Sequence, residues 1–153
     1  MGVLGNPYFR GGSLHRLDSK GRMRIPTRFR DVLRGHYTDA LVLTMLEECL
    51  VAYPPEVWEE IESKVLRFSD IQPQQRAFVR YFVSGAVECS FDRQGRILIP
   101  PFLRERAALE REVLLAGMLT SFEIWNRDRW DRQMEWSRDN FKQLAEEIAG
   151  LGV

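Results

Sequence analysis

Arg16, Lys20, Arg22, Arg24 and Arg28 crowd into one short stretch around a glycine, Gly21. Guanidinium and ammonium groups gathered in this way can grip phosphate, and a local basic patch matters more for that than the charge of the whole chain. Asp18 stands four residues before Arg22, where its carboxylate can bond the amides of a turn in an Asx-type arrangement. Gly21 supplies the positive φ that such a turn usually needs. An ion pair bracing the turn is the plainer account of Asp18 with Arg22. An exposed pair stabilises by only about 0–1 kcal/mol, however, which is a weak reason for so many arginines. A solvated charged face is the alternative to a phosphate-binding role.

The stretch Leu17 to Pro26 recurs as Phe91 to Pro100, shifted by 74 positions, and both copies read Asp-x-x-Gly-Arg-x-x-Ile-Pro. Asp92, Gly95 and Arg96 therefore repeat Asp18, Gly21 and Arg22, while Gly11 matches Gly85 and Arg30 matches Arg104. An internal repeat sets the architecture and points here to one module used twice. Strand alternation puts His15, Leu17, Met23 and Ile25 on one face, matched by Cys89, Phe91, Ile97 and Ile99, and this face is expected to be core. The opposite face carries Leu14, Arg16, Arg22 and Arg24 in the first copy, against Glu88, Ser90, Arg96 and Leu98 in the second. Residues 11–34 hold seven Lys/Arg and two Asp, whereas residues 85–108 hold four Arg and three Asp/Glu. The first copy is the expected reader of phosphate and the second its structural partner.

Positioning these residues calls for a hairpin, Ser13–Leu17 and Met23–Ile25 about the Gly21 turn. Pro26 would open a short helix over 27–34, closed by Gly35. Strands follow at 41–45 and 49–53, then an acidic amphipathic helix with Val57, Trp58, Ile61 and Val65. Ile71-Gln72-Pro73 breaks that helix, and a second one over 74–83 carries Ala77, Phe78, Tyr81 and Phe82 on one face. The second copy repeats the order: strands at 87–91 and 97–99, a helix from Pro100-Pro101 to Arg106, strands at 113–116 and 122–125, and one last helix over 128–149. Its later strand pair, and Trp130 against Trp58, match at a shift of 72. The units are thus residues 12–58, connecting helices 59–85, residues 86–130 and a C-terminal helix 131–153, after a loose tail over 1–8.

The 153 residues carry no net charge, but the charge is unevenly placed: residues 1–38 hold eight Lys/Arg and two Asp/Glu, and residues 39–75 the reverse. At 44% hydrophobic and 29% charged, the chain reads as a soluble globular protein. The longest charge-free run, Val113 to Phe122, is far short of a membrane span, and the N-terminus lacks a secretory pattern. Cys49 and Cys89, 40 positions apart, have no metal or redox spacing and read as buried thiols. With two histidines, no nucleophile elbow, no metalloprotease motif and no phosphate loop, nothing suggests an enzyme or a cofactor.

With both copies in view, the chain resembles the MraZ family of bacterial transcriptional regulators, whose modules have the AbrB-type swapped-hairpin fold. The residues that carry the resemblance are Tyr8-Phe9-Arg10-Gly11, the block Leu17 to Arg30, and Phe91 to Arg104. The resemblance implies an α+β chain of two tandem AbrB-like modules packed as an intramolecular pseudo-dimer. It implies assembly into a ring and binding of double-stranded DNA at direct repeats in the promoter of its own division and cell-wall gene cluster, as a repressor. It implies a cytoplasmic, nucleoid-associated protein with no membrane or small-molecule partner. The family's Asp-x-x-x-Arg motifs fall on Asp18/Arg22 and Asp92/Arg96. Arginine suits the role, since it pairs bidentately with the O6/N7 edge of guanine in the major groove. The expected DNA contacts are Arg22, Lys20, Arg24, Arg16, Arg28 and Arg96, and the expected turn-makers are Asp18, Gly21, Asp92 and Gly95. The rival reading is an AbrB-fold interaction or antitoxin-like module without promoter binding, with the acidic 39–75 segment as its partner surface.

Overall fold

A computed structural model describes residues 5–68 and 72–153. The two copies yield the same run of elements. The first gives strands β1 (Gly12–Arg16) and β2 (Arg22–Arg24), helix α1 (Thr27–His36), strands β3 (Ala40–Met45) and β4 (Leu50–Tyr53), and helices α2 (Pro55–Leu66) and α3 (Pro73–Phe82). The second gives β5 (Val87–Ser90), β6 (Arg96–Leu98), α4 (Pro101–Arg106), β7 (Glu112–Gly117), β8 (Phe122–Asn126), α5 (Arg127–Asp139) and α6 (Phe141–Ile148), and ends in a 3₁₀ turn, Ala149–Leu151.

The expected hairpin does not pair with itself. Asp18 N–H bonds Arg22 O at 2.9 Å, and there the ladder between β1 and β2 stops. β1 instead lies antiparallel on β7, with His15 opposite Val113, and β5 lies on β3, with Cys89 opposite Leu41. The result is an antiparallel six-stranded sheet in the order β1-β7-β8-β4-β3-β5, beside a two-stranded ribbon of β2 and β6. A lone hairpin is marginal in water, so each copy gains by lending its strands to the other. This interleaving is the α+β pseudo-dimer of swapped modules that the resemblance implied.

The core forms where the two copies interlock. Met23, Ile25, Ile97 and Ile99 are buried, as alternation predicts, and they join Leu41, Leu43, Val113 and Leu115 of the main sheet. Fully burying one such side chain stabilises by about 1.5–3 kcal/mol. Phe9, Phe29 and Phe122 pack as an aromatic trio with centroids 4.9–5.4 Å apart. His15 and Phe91 are only half-buried. Cys49 and Cys89 are buried free thiols, and burial pushes Cys89 up to about 11.

The helices differ from expectation in four places. α1 continues through Gly35 and ends where Tyr37 turns extended. Pro26 stands just ahead of α1 as its N-cap, so Thr27 takes the first helical position. The single last helix is two, because Asn140 leaves helical geometry (φ −109°, ψ 11°) and its side-chain amide donates to Trp136 O at 2.8 Å. Asparagine favours such local bonds over a helix interior. The pair α5–α6 thus mirrors α2–α3. Of the aromatic face expected on α3, only Phe82 is buried, against Val42, Val51 and Trp58. Ile71 and residues 1–4 lie outside the described residues, so the expected break and tail are only partly seen; Pro73 opens α3, and the Gln75 side chain accepts from Gln72 N–H at 2.9 Å.

Candidate nucleic-acid interface

The ribbon pairs Arg22 with Leu98, Met23 with Ile97 and Arg24 with Arg96. Met23 and Ile97 point into the core, so alternation turns Arg22, Arg24, Arg96 and Leu98 to the other face. Arg24 and Leu98 are exposed there, and Arg22 and Arg96 are half-exposed. Each module contributes one strand. Beyond the ladder, Ile99 N–H bonds Gly21 O at 2.8 Å and Ile25 N–H bonds Gly95 O at 3.2 Å, so each turn is tied to the other module's strand.

The two turns carry the same hydrogen bonds. Asp18 Oδ1 accepts from Lys20 N–H at 3.0 Å and Arg22 N–H at 2.8 Å, while Oδ2 accepts from Arg22 Nε at 2.8 Å. Asp92 Oδ1 accepts from Gln94 N–H at 2.8 Å and Arg96 N–H at 2.9 Å, and Oδ2 from Arg96 Nε at 2.8 Å. The backbone bond from the arginine amide, with the smaller side-chain bond behind it, holds both carboxylates below their ordinary range. The arginines are held by these bonds through Nε, and both side chains stay partly exposed. Arg96 Nη1 also reaches Asp18 Oδ2 at 3.9 Å, so the two turns touch.

Gly21 and Gly95 sit at φ +87° and +76°, where a side chain is strained. A Cβ on Gly21 would stand 2.6 Å from the Arg104 guanidinium, and one on Gly95 3.1 Å from Arg30 Nη1. The matched pair Arg30/Arg104 therefore braces the turns crosswise, each from the opposite module. Arg104 Nε donates to Ile99 O at 2.9 Å. Arg30 stacks 4.3 Å from the Phe91 ring and is tied to Asp39 at 3.1 Å.

The remaining expected contacts divide. Lys20 is exposed in the first turn. Arg16 is exposed at the end of β1 and lines a groove of about 590 Å³ with Asp18, Ser19, Arg104, Glu110 and Arg111. Arg28 shares neither ribbon nor groove: it lies 4.8 Å from the Phe29 ring, in a hollow with Tyr8 and Arg10. His15, beside Arg28, has a lowered pKa, from burial first and the Arg28 charge second. Arg111 lines the groove as well, and local sequence reading did not single it out. The signal was present in the shift of 72, which sets Arg111 of the second copy against Asp39 of the first.

Two interleaved copies of a swapped-hairpin module, pooling one strand each into an arginine-faced ribbon, define an AbrB-like protein of the doubled kind. A family model described as "MraZ protein, putative antitoxin-like" matches residues 8–81 and again residues 82–151. The transcriptional regulator MraZ of Syntrophobacter fumaroxidans is 61% identical over 150 residues, covering 98% of this chain and all of that protein. Those of Desulforapulum autotrophicum and Desulforamulus reducens are 44% and 43% identical, over 95% and 94% of this chain and 99% of each relative. The chain belongs to the MraZ family of transcriptional regulators. Among the described residues no helix is long and apolar enough to cross a membrane.

Proposed function

We propose that the protein is a sequence-specific DNA-binding repressor that acts as a ring on direct repeats in the promoter of its own division and cell-wall gene cluster. The observation that carries the reading is the β2–β6 ribbon, narrow enough for a major groove and faced by Arg22, Arg24 and Arg96. Arg22 is the principal reader, with Lys20, Arg24 and Arg16 in support and Arg96 added from the second module. Arg28, set apart from the ribbon, takes at most a peripheral phosphate. The protein works in the cytoplasm at the nucleoid, without a cofactor.

Ring assembly is supported by an asymmetry between the helix pairs. α3 is held to the main sheet, with Phe82 buried and Tyr81 Oη donating to Leu46 O at 2.9 Å. Its counterpart α6 rests on α5 rather than on the sheet, and Trp136 of α5 and Phe141 and Ile148 of α6 are exposed, as Phe78 is on α3. An apolar face on one end, meeting a different face of the next copy, is the heterologous contact from which rings close. Several ribbons on one ring, meeting several repeats, gain roughly 10²–10⁴-fold in avidity over a single contact.

A gel shift with the duplex upstream of the protein's own gene, beside a scrambled duplex, tests the reading, with native mass measurement in parallel. The expected result is a shift of the promoter duplex alone by a species of more than two chains. No shift at low salt would overturn it and favour the interaction-module reading.

A further inference from the structure

We infer that Arg111, from the second module, binds a DNA backbone phosphate beside the first module's turn, so that the phosphate-binding surface there is built by both modules. The inference rests on the proposed DNA-binding role and adds a contact to it. Leu17 N–H bonds Arg111 O at 2.8 Å, which fixes the Arg111 backbone at the mouth of the first turn. Its side chain is exposed in the groove with Arg16 and Arg104. It makes no ion pair or side-chain hydrogen bond among the described residues, whereas Glu112 beside it is paired with Arg127 at 3.2 Å.

The pseudo-symmetry gives this placement its meaning. Around the first turn stand Arg16, Ser19, Lys20, Arg22, Arg104 and Arg111, against Asp18 and Glu110. At the equivalent places around the second turn stand Ser90, Arg93, Gln94, Arg96, Arg30 and Asp39, with Asp92 and Thr38. Where the first turn faces a free arginine, the second faces Asp39, which draws in Arg30 at 3.1 Å and Arg34 at 3.4 Å. This position widens the difference between the turns: Arg111 adds a cation at the first, and its twin Asp39 adds an anion at the second. An arginine whose side chain has no polar partner among the described residues, in a groove that opens beside Arg16, matches a phosphodiester by charge and by geometry.

The test compares wild type, Arg111→Ala and Arg111→Lys by anisotropy on the promoter duplex across a salt series, with melting and native mass alongside. Arg111→Ala should weaken binding threefold to tenfold at low salt and flatten the log K against log salt slope by about 0.9 for each ribbon engaged. Arg111→Lys should keep the wild-type slope, and melting temperature and mass should not move in either variant. Wild-type affinity and slope in Arg111→Ala would overturn the inference while leaving the DNA-binding reading in place. So would a loss that Lys fails to restore, or one that comes with a lower melting temperature. A wild type that does not bind would overturn both.

Discussion

The turn at Asp18–Arg22 and the turn at Asp92–Arg96 have the same hydrogen bonds, the same left-handed glycine and an arginine set crosswise behind each, yet the two arginines are held differently and the turns face different surroundings. The identical residues (Asp, Gly, Arg, Ile and Pro) are the ones that make the turn, seat the core and cap the helix. The residues that differ, among them Lys20 against Gln94, Ser19 against Arg93, Arg24 against Leu98 and Arg111 against Asp39, set the charge about each turn, and Asp39 also holds the brace Arg30. The repeated motif therefore records architecture. Arg22 and Arg96, which the motif both holds and displays, are common to the two turns, so any difference in recognition lies where the copies have drifted apart.

That comparison can be broken first at the glycines. Gly21→Ala should cost about 1–2 kcal/mol for the left-handed backbone, plus the displacement of Arg104 from Ile99 O. Gly95→Ala meets only the tip of Arg30 and should cost the backbone part alone. Denaturant unfolding of the two variants checks the order, and equal losses would remove the claimed difference in bracing. Leu98→Arg would give the second strand what the first already has. Leu98 is exposed, so stability should change by no more than about 0.5 kcal/mol. Promoter affinity should rise, and the salt slope should steepen by about 0.9 per ribbon.

The acid limb of stability is a smaller effect that should treat both turns alike. Asp18 and Asp92 have folded pKa values below the ordinary 3.8. Their contribution is full above 3.8 and is lost as pH falls through the lower folded values. Asp18→Asn and Asp92→Asn should each remove a similar part of that acid loss in melting experiments; a loss confined to one would show that the turns are not equivalent. His15, whose folded pKa lies below 6.5, gives the mildest trend: its contribution is full above 6.5 and fades as pH drops below it. His15→Gln should flatten that shallow fall.

Much of the fold was legible because its rules are local. Alternation placed Met23, Ile25, Ile97 and Ile99 in the core, and the glycine turns followed from backbone sterics. Strand exchange was not readable from the residues themselves, since Met23 meets Ile97 across 74 positions and no periodicity reports a partner that distant. The same holds for the candidate site. Arg22 and Arg24 stood out by clustering, but the seating of Arg96 opposite Arg24 depends on register between the modules. It makes the second copy half of the ribbon rather than only its support. Arg28 is near the ribbon arginines in sequence but not in space, because it lies in the hollow with Tyr8 and Arg10.

The most direct test of the shared, unequal ribbon is a salt titration of promoter binding by Arg22→Ala and Arg96→Ala, with native mass to confirm that assembly persists. Arg22→Ala should lose about 1–3 kcal/mol per binding site, and Arg96→Ala measurably less but not nothing. Unchanged binding in Arg22→Ala, or a greater loss in Arg96→Ala, would contradict the account.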